Sequence, residues 1–309
     1  MFGCPKTADM AQWSGPGHYP VGRPGCRARP PLFRYSEVEG RVQPTPATTK
    51  PTATVLLEVR GLSKSFRGLQ ALDGYDLTLR QGVIHGVIGP NGAGKTTLFH
   101  LLSGFLRPTS GSVRFEGREI AGAPAWRVAR LGIGRTFQNI RLFGELSVID
   151  NVKVAIQRQW HGSLVATLLS TPGFRRREAE IDAAAAALLD RVGLAARRDQ
   201  LARNLPYGDQ RRLEVARAVA TQPKILLLDE PNAGMNPIET QDLLALIRRL
   251  RDELGITIVL VAHDIPLVMN LCNRIQVLNY GRLIAEGDPA AVRSNPEVIA
   301  AYLGQARSA

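Results

Sequence analysis

The chain has 309 residues, of which 44% are hydrophobic and 21% charged, the balance of a globular protein with one large or two ordinary domains. That excludes a mostly disordered chain, a collagen-like repeat and a small disulfide scaffold, and the longest apolar runs, 225–228 and 257–262, fall far short of the roughly 20 residues of a bilayer span. The net charge of +12 is carried mainly by arginine, without a compact basic tract interleaved with aromatics, so nucleic acid is not the expected partner. Cys4, Cys26 and Cys272 are odd in number and lack metal-ligand spacing, which fits a reducing cytoplasm.

In chain order, residues 1–54 hold nine of the 20 prolines and no sustained apolar period, and read as a disordered extension without the apolar stretch of a secretory signal. Order is expected from Val55. Val55, Leu57 and Val59 alternate with Leu56, Glu58 and Arg60 as a short strand, and Leu77 and Leu79 continue the alternation in a second. A third strand, 83–88, is apolar except for His85 and runs into a glycine-rich turn; 111–116 is a fourth. The runs 225–228 and 257–262 predict strands buried on both faces of a parallel sheet. Helical patterns occupy 95–102, 181–192, 211–220 and 239–254, and strands alternating with helices predict an α/β sheet covered on both faces. Residues 142–213 show no strand pattern and are expected to form an inserted helical subdomain. Asn279-Tyr280-Gly281-Arg282 predicts a hairpin turn, and Asn295-Pro296-Glu297 opens a final helix.

Gly89-Pro90-Asn91-Gly92-Ala93-Gly94-Lys95-Thr96 fits G-x-x-x-x-G-K-[ST] between a strand and a helix. The glycines let backbone N–H groups curl around phosphates, and the helix N-terminus favours an anion. Lys95 is placed to reach the β- and γ-phosphates and Thr96 to offer a hydroxyl to Mg²⁺, so a nucleotide with Mg²⁺ is the expected ligand. The strand Ile225-Leu226-Leu227-Leu228-Asp229-Glu230 ends in two carboxylates expected to point to opposite sides, Asp229 towards the metal and Glu230 towards the attacking water. Standing alone, such a strand end is merely solvated; beside a phosphate loop it reads as catalytic.

With these motifs in place, residues 55–309 resemble the ATP-binding subunit of an ABC transporter. Gly89 to Thr97 matches its Walker A loop and Ile225 to Glu230 its Walker B strand. Gln138 in Arg135-Thr136-Phe137-Gln138 matches the Q-loop glutamine, Ala233-Gly234-Met235-Asn236 the D-loop, His263 the switch histidine and Phe66 the aromatic that stacks on adenine. Leu205-Pro206-Tyr207-Gly208-Asp209-Gln210 occupies the place of the L-S-G-G-Q signature. Taken singly, Gln138 reads as a surface residue, Phe66 as core and His263 as structural. The order of all seven carries the resemblance. The fold it implies is a P-loop NTPase (RecA-like) α/β fold, a mostly parallel sheet with an antiparallel β-subdomain and an inserted α-helical subdomain.

Departures from the family pattern are the signature serine, here Pro206, its first glycine, here Tyr207, its glutamine, here Asp209, and the D-loop aspartate, here Asn236. The Tyr-Gly pair, the Ala-Gly-Met-Asn-Pro run and the ending from Asn295 to Gly304 resemble the ATP-binding subunits of branched-chain amino acid importers. Within that branch, the longer insert with Thr171-Pro172-Gly173-Phe174-Arg175-Arg176 resembles the LivG type, with 281–309 as a subfamily segment. Relatives serving urea or lipopolysaccharide transport, and ABC ATPases acting on RNA or DNA, fit the single phosphate loop, the D-loop run and the ending less well.

The resemblance implies a catalytic set of Glu230, His263, Gln138 and Lys95 and a metal set of Thr96, Gln138 and Asp229. It implies a head-to-tail pair in which Pro206, Tyr207, Gly208 and Asp209 act on the partner's ATP, the partner being a second copy or a paralogue. Further implied partners are two transmembrane permease subunits and, indirectly, a periplasmic substrate-binding protein, with this chain peripheral on the cytoplasmic face of the inner membrane. Residues 142–154, with Leu142, Phe143, Leu146 and Val148, are the expected docking surface for a membrane subunit's helix; the alternative is that they pack the start of the inserted subdomain.

Overall fold

The computed structural model describes residues 54–158 and 172–306; the expectations for 1–53, including Cys4 and Cys26, and for Thr171 lie outside them. Two sheets organise the described chain. The first is antiparallel, in the order β2-β1-β4-β5, from β1 (Val55–Phe66), β2 (Leu69–Arg80), β4 (Ser110–Phe115) and β5 (Arg118–Glu119). Its register follows the apolar alternation: Leu57 faces Leu79 and Phe115, and Val59 faces Leu77 and Val113, which puts all six on one buried face.

The second sheet runs β10-β9-β3-β8-β7-β6, from β3 (Ile84–Ile88), β6 (Ile133–Arg135), β7 (Ile225–Asp229), β8 (Thr257–Val261), β9 (Arg274–Asn279) and β10 (Arg282–Gly287). All pairings are parallel except β9–β10, joined by the expected hairpin. Every residue of β3, β7 and β8 is buried, as continuous apolar runs demand of strands covered on both faces. His85 is the polar exception in β3, and burial drives its pKa down to about 4. Strands β5 and β6 were not expected, being too short for a period to register. The three residues of β6 are fixed by parallel pairing, Ile133 with Ile225 and Arg135 with Leu227.

Helix α1 (Lys95–Leu102) follows the glycine-rich loop, and α2 (Ala125–Leu131) leads into β6. Between β6 and β7 come α3 (Val148–Gln157), α4 (Pro172–Arg191) and α5 (Tyr207–Ala220), with no named strand among the described residues there. Helix α3 packs on both α4 and α5, and Val152, Ile156, Ile181, Leu188 and Leu213 on these helices are buried. Ser147 starts α3 by accepting from the Asp150 amide. Helices α6 (Pro237–Leu254), α7 (Ile265–Leu271), α8 (Pro289–Arg293) and α9 (Pro296–Ala306) complete the chain.

The strand order decides where the chemistry sits. β3, β8, β7 and β6 are consecutive neighbours running the same way, so their carboxyl ends discharge four segments side by side: the glycine-rich loop, His263, Asp229-Glu230 and Gln138. Open α/β sheets bind ligands at such carboxyl ends.

Candidate functional site

The loop from Gly89 to Gly94 leaves β3 and hands directly to Lys95, the first residue of α1. Gly94 is the residue before the helix at φ 104°, and a Cβ there would meet the Ala71 carbonyl at 2.6 Å, so only glycine fits. Pro90 and Ala93 are buried, whereas Asn91, Gly92 and Thr96 face solvent and Thr97 is half-buried. The buried Lys95 folds back, its Nζ donating to the carbonyls of Gly89 at 2.7 Å and Pro90 at 2.8 Å. Burial lowers the Lys95 pKa, and Glu230 and Asp229 pull it back up, so the ammonium stands facing acid and loop together. Phe66, at the end of β1, is 40% exposed, with the Lys64 Nζ 5.0 Å from its ring centre; the ring presents an open face at the lip of the first sheet.

Strand β7 ends at Asp229. Glu230 lies just beyond it at φ 45°, its amide still donating to the Val261 carbonyl of β8. The two acids do diverge, but through this left-handed turn and not through strand alternation as expected. Glu230 is where the other segments meet: Gln138 Nε2 donates to Oε2 at 3.2 Å, and His263 Nδ1 lies 3.4 Å from Oε1. Asp264, which starts α7 by accepting from the Leu267 amide, also accepts from Asn232 Nδ2, linking the histidine segment to the one after Glu230. Asp229 faces away from this cluster, Oδ2 accepting from Arg135 Nη2 at 2.9 Å.

The donors expected to hold Mg²⁺ are all oxygens: the exposed Thr96 hydroxyl, the Gln138 amide and the Asp229 carboxylate, whose Oδ2 accepts from Arg135. Hard oxygen donors with a single carboxylate and room for phosphate oxygens suit Mg²⁺. Among the described residues there is no group of three His, Cys, Asp or Glu able to hold a metal by themselves.

The signature residues stand on the helical side. Pro206 precedes α5 without a side-chain cap, Tyr207 is 41% exposed, and Asp209 pairs with Arg197 at 2.8 Å. The Tyr207 ring lies against Gly234, where a Cβ would stand 3.1 Å from Cε1, so signature and D-loop touch within the chain. Gly208 is buried against Glu239, where a Cβ would meet Oε1 at 2.8 Å. Asn236 caps α6, Oδ1 accepting from the Glu239 amide while Glu239 accepts from the Asn236 amide. Asparagine does this as well as aspartate. Met235, between Gly234 and Asn236, donates its amide to the Asn232 carbonyl.

Sequence reasoning missed three charged residues. Arg211 and Glu214 of α5 form a buried pair at 3.0 Å that grips the segment before Gln138. Arg211 donates to the carbonyls of Phe137 and Gln138 and to the Tyr207 hydroxyl, and Glu214 accepts from the Phe137 amide. Arg135 holds Asp229. Only the position of Arg135 in the motif run around Gln138 could have flagged it; the other two read as an exposed i,i+3 pair.

A family model described as ABC transporter matches residues 72–233, and one described as branched-chain amino acid ATP-binding cassette transporter matches 282–307. The chain is similar to the high-affinity branched-chain amino acid transport ATP-binding protein LivG of Salmonella typhimurium, 49% identical over 251 residues covering 81% of this chain and 98% of the relative. BraF of Pseudomonas aeruginosa, described in the same words, is 48% identical with the same coverage. Among solved structures, the ADP conformation of MJ1267, an ATP-binding cassette of an ABC transporter, superposes with a TM-score of 0.70 at 30% identity over 81% of this chain and 99% of that one. The chain therefore belongs to the ABC transporter family: it is an ATP-binding cassette, an ATPase with the P-loop NTPase fold.

Proposed function

We propose that this chain is the ATP-hydrolysing subunit that energises import of branched-chain amino acids through separate membrane subunits. The cargo reading rests on the similarity to LivG and BraF and on the C-terminal match over 282–307, well away from the phosphate loop. The observation that carries the catalytic reading is the meeting on Glu230 of Gln138 and His263, delivered by neighbouring strand ends beside the phosphate loop.

Hydrolysis is phosphoryl transfer to water, in which positioning and charge neutralisation supply most of the acceleration. The loop Gly89-Pro90-Asn91-Gly92-Ala93-Gly94-Lys95-Thr96-Thr97 cradles the phosphates through its backbone N–H groups, Pro90 alone having none to give, and Phe66 stacks on the adenine. Lys95 leaves the carbonyls of Gly89 and Pro90 for the β- and γ-phosphates. Mg²⁺, when bound to Thr96, Asp229 and Gln138, neutralises the developing charge. Glu230 orients and deprotonates the attacking water, and His263 steadies the γ-phosphate from the next strand end. Gln138 would offer its amide oxygen to the metal, and its segment is held to α5 by Arg211 and Glu214.

The signature residues Pro206, Tyr207, Gly208 and Asp209, with the D-loop residues Gly234, Met235 and Asn236, are assigned to the ATP of a second cassette, a copy or a paralogue. No described helix is long and apolar enough to cross a membrane, so the lipid-spanning work falls to two permease subunits. A periplasmic binding protein delivers cargo to them, this chain sits on the cytoplasmic face, and nucleic acid has no part. The permease contact is assigned to a cleft of about 720 Å³ between α2 and β6 on one wall and α3 and α5 on the other. Phe105, Trp126, Phe143 and Val154 line it and are all exposed, with the Arg217 guanidinium 4.7 Å from the Phe143 ring. Within 142–154 the two readings divide: Phe143 and Leu146 are exposed, Leu142 half-buried, and Val148 fully buried in the helical packing.

Glu230→Gln tests the catalytic assignment. It is expected to bind a fluorescent triphosphate analogue as the native chain does while phosphate release falls at least about 100-fold; normal turnover would remove Glu230 from the mechanism. Phe143→Glu tests the docking surface, with loss of co-purification with the permease subunits expected and intact assembly refuting it.

A further inference from the structure

Arg135 is the last residue of β6, three residues before Gln138 and one strand away from Asp229. Its Nη2 donates to Asp229 Oδ2 at 2.9 Å, and the two side chains are only 5% and 6% exposed. Nη1 donates to the Ser103 hydroxyl at 2.9 Å, at the far end of the helix that Lys95 begins. The guanidinium carbon stands 5.7 Å from the ring centres of Phe99 and Phe105 and 5.3 Å from that of Phe137. Two hydrogen bonds and three rings thus fix the group in one place, and Nε is buried with no partner at all. A guanidinium held this dry is tolerable because a carboxylate compensates it.

Consider what a divalent cation would meet here before nucleotide arrives. One oxygen of Asp229 is taken and its charge is cancelled. Glu230 is engaged by Gln138 and His263, with the Lys95 ammonium close by. No three acidic or imidazole groups converge among the described residues. Mg²⁺ dehydrates reluctantly and is held through one or two carboxylates together with substrate phosphates.

We propose that Arg135 is a positioning residue that holds Asp229 by one oxygen and cancels its charge, so that a divalent cation binds only together with the nucleotide's phosphates. The inference rests on Asp229 being the metal ligand. A purely structural Arg135, tying β6 to β7, would alter stability and leave metal dependence untouched.

Mn²⁺ alone, followed by electron paramagnetic resonance on the full chain, separates these. The native chain is expected to show no saturable Mn²⁺ binding without nucleotide. Arg135→Gln removes a unit positive charge in contact with the ligand and is expected to gain saturable Mn²⁺ binding, at least about tenfold tighter than the detection limit that bounds the native chain. Adding Asp229→Asn to it should erase the gain. Arg135→Gln leaves a buried carboxylate unpaired, so its folding is verified first by metal-free binding of the fluorescent triphosphate analogue. If it does not fold, Arg135→Lys decides: lysine keeps a cation but cannot span Ser103 and Asp229 together, and should bind Mn²⁺ alone with intermediate affinity. Native-like Mn²⁺ behaviour in a folded Arg135→Gln, or in Arg135→Lys where that decides, overturns the proposal. If Asp229→Asn alone retains native Mg²⁺-dependent nucleotide binding, it is the ligand assignment that falls, and the role of Arg135 with it.

Discussion

Replacing Arg211 by methionine keeps most of the side-chain volume and removes the cation that four groups share. Arg211 and Glu214 are 3% and 7% exposed, so the substitution leaves a buried carboxylate without its ion-pair partner and strips donors from the Phe137 and Gln138 carbonyls. Breaking a buried pair from one side costs about 3–5 kcal/mol, a large part of the roughly 5–15 kcal/mol that holds a domain folded. For a domain of this size the melting temperature should drop by about 6–20 °C. The pH dependence gives the cause. Burial already raises the Glu214 pKa, and Arg211 is among the groups pulling it back. Without Arg211 it rises further, so the folded state takes up a proton more readily than the unfolded chain. A raised pKa contributes stability at low pH that is lost as pH rises through the folded value. The deficit of Arg211→Met should therefore be small near pH 5 and large near pH 8, and Arg211→Met/Glu214→Leu should recover most of it. Calorimetric melts at the two pH values read this directly. A deficit equal at both, or none at pH 8, would refute the reasoning.

Two other outcomes follow from single side chains. Asn236→Ala removes one arm of the capping box on α6 and should lower the urea unfolding free energy by about 1 kcal/mol, while Asn236→Asp should not; equal losses would mean the cap is not the cause. His85 is 2% exposed with Nε2 unpartnered, and burial depresses its pKa to about 4. The unfolded chain accepts a proton near 6.5 that the folded state refuses, so stability present above that pH is lost on acidification towards pH 4, by up to about 3 kcal/mol. His85→Gln should flatten that acid slope in pH-dependent melts, and an unchanged slope would show that other groups set it.

What the sequence made legible depended on how far each side chain's partner lies along the chain. The phosphate loop carries its own evidence, strand, glycines, lysine and helix within a dozen residues, and β3, β7 and β8 announce burial on both faces by unbroken apolar runs. The hairpin after β9 is equally local. Strand β6 has no such signal, because Ile133-Gly134-Arg135 is a strand only where β7 offers its edge, some ninety residues later. Helix α5 was legible as a helix, but Arg211 and Glu214 look there like an ordinary surface pair. Their burial comes from packing against a segment more than seventy residues upstream.

Two of the departures in the signature and D-loop keep a structural role. Asn236 keeps the capping geometry an aspartate would supply, and the Tyr207 ring fills the space against Gly234 while Arg211 holds its hydroxyl. The contacts that sequence reading missed all converge on residues 135–138. Arg135 reaches Asp229, Phe137 is gripped by Arg211 and Glu214, and Gln138 reaches Glu230. Moving this strand end must break or remake the contacts to both acids and to the signature helix. Phe137 and Arg135 also line the cleft where the permease contact is proposed, so under that proposal a helix seated there bears on the segment that holds Asp229 through Arg135 and Glu230 through Gln138. The short strand with the weakest signal in the sequence is therefore the element through which, on the proposed function, docking would reach the two acids.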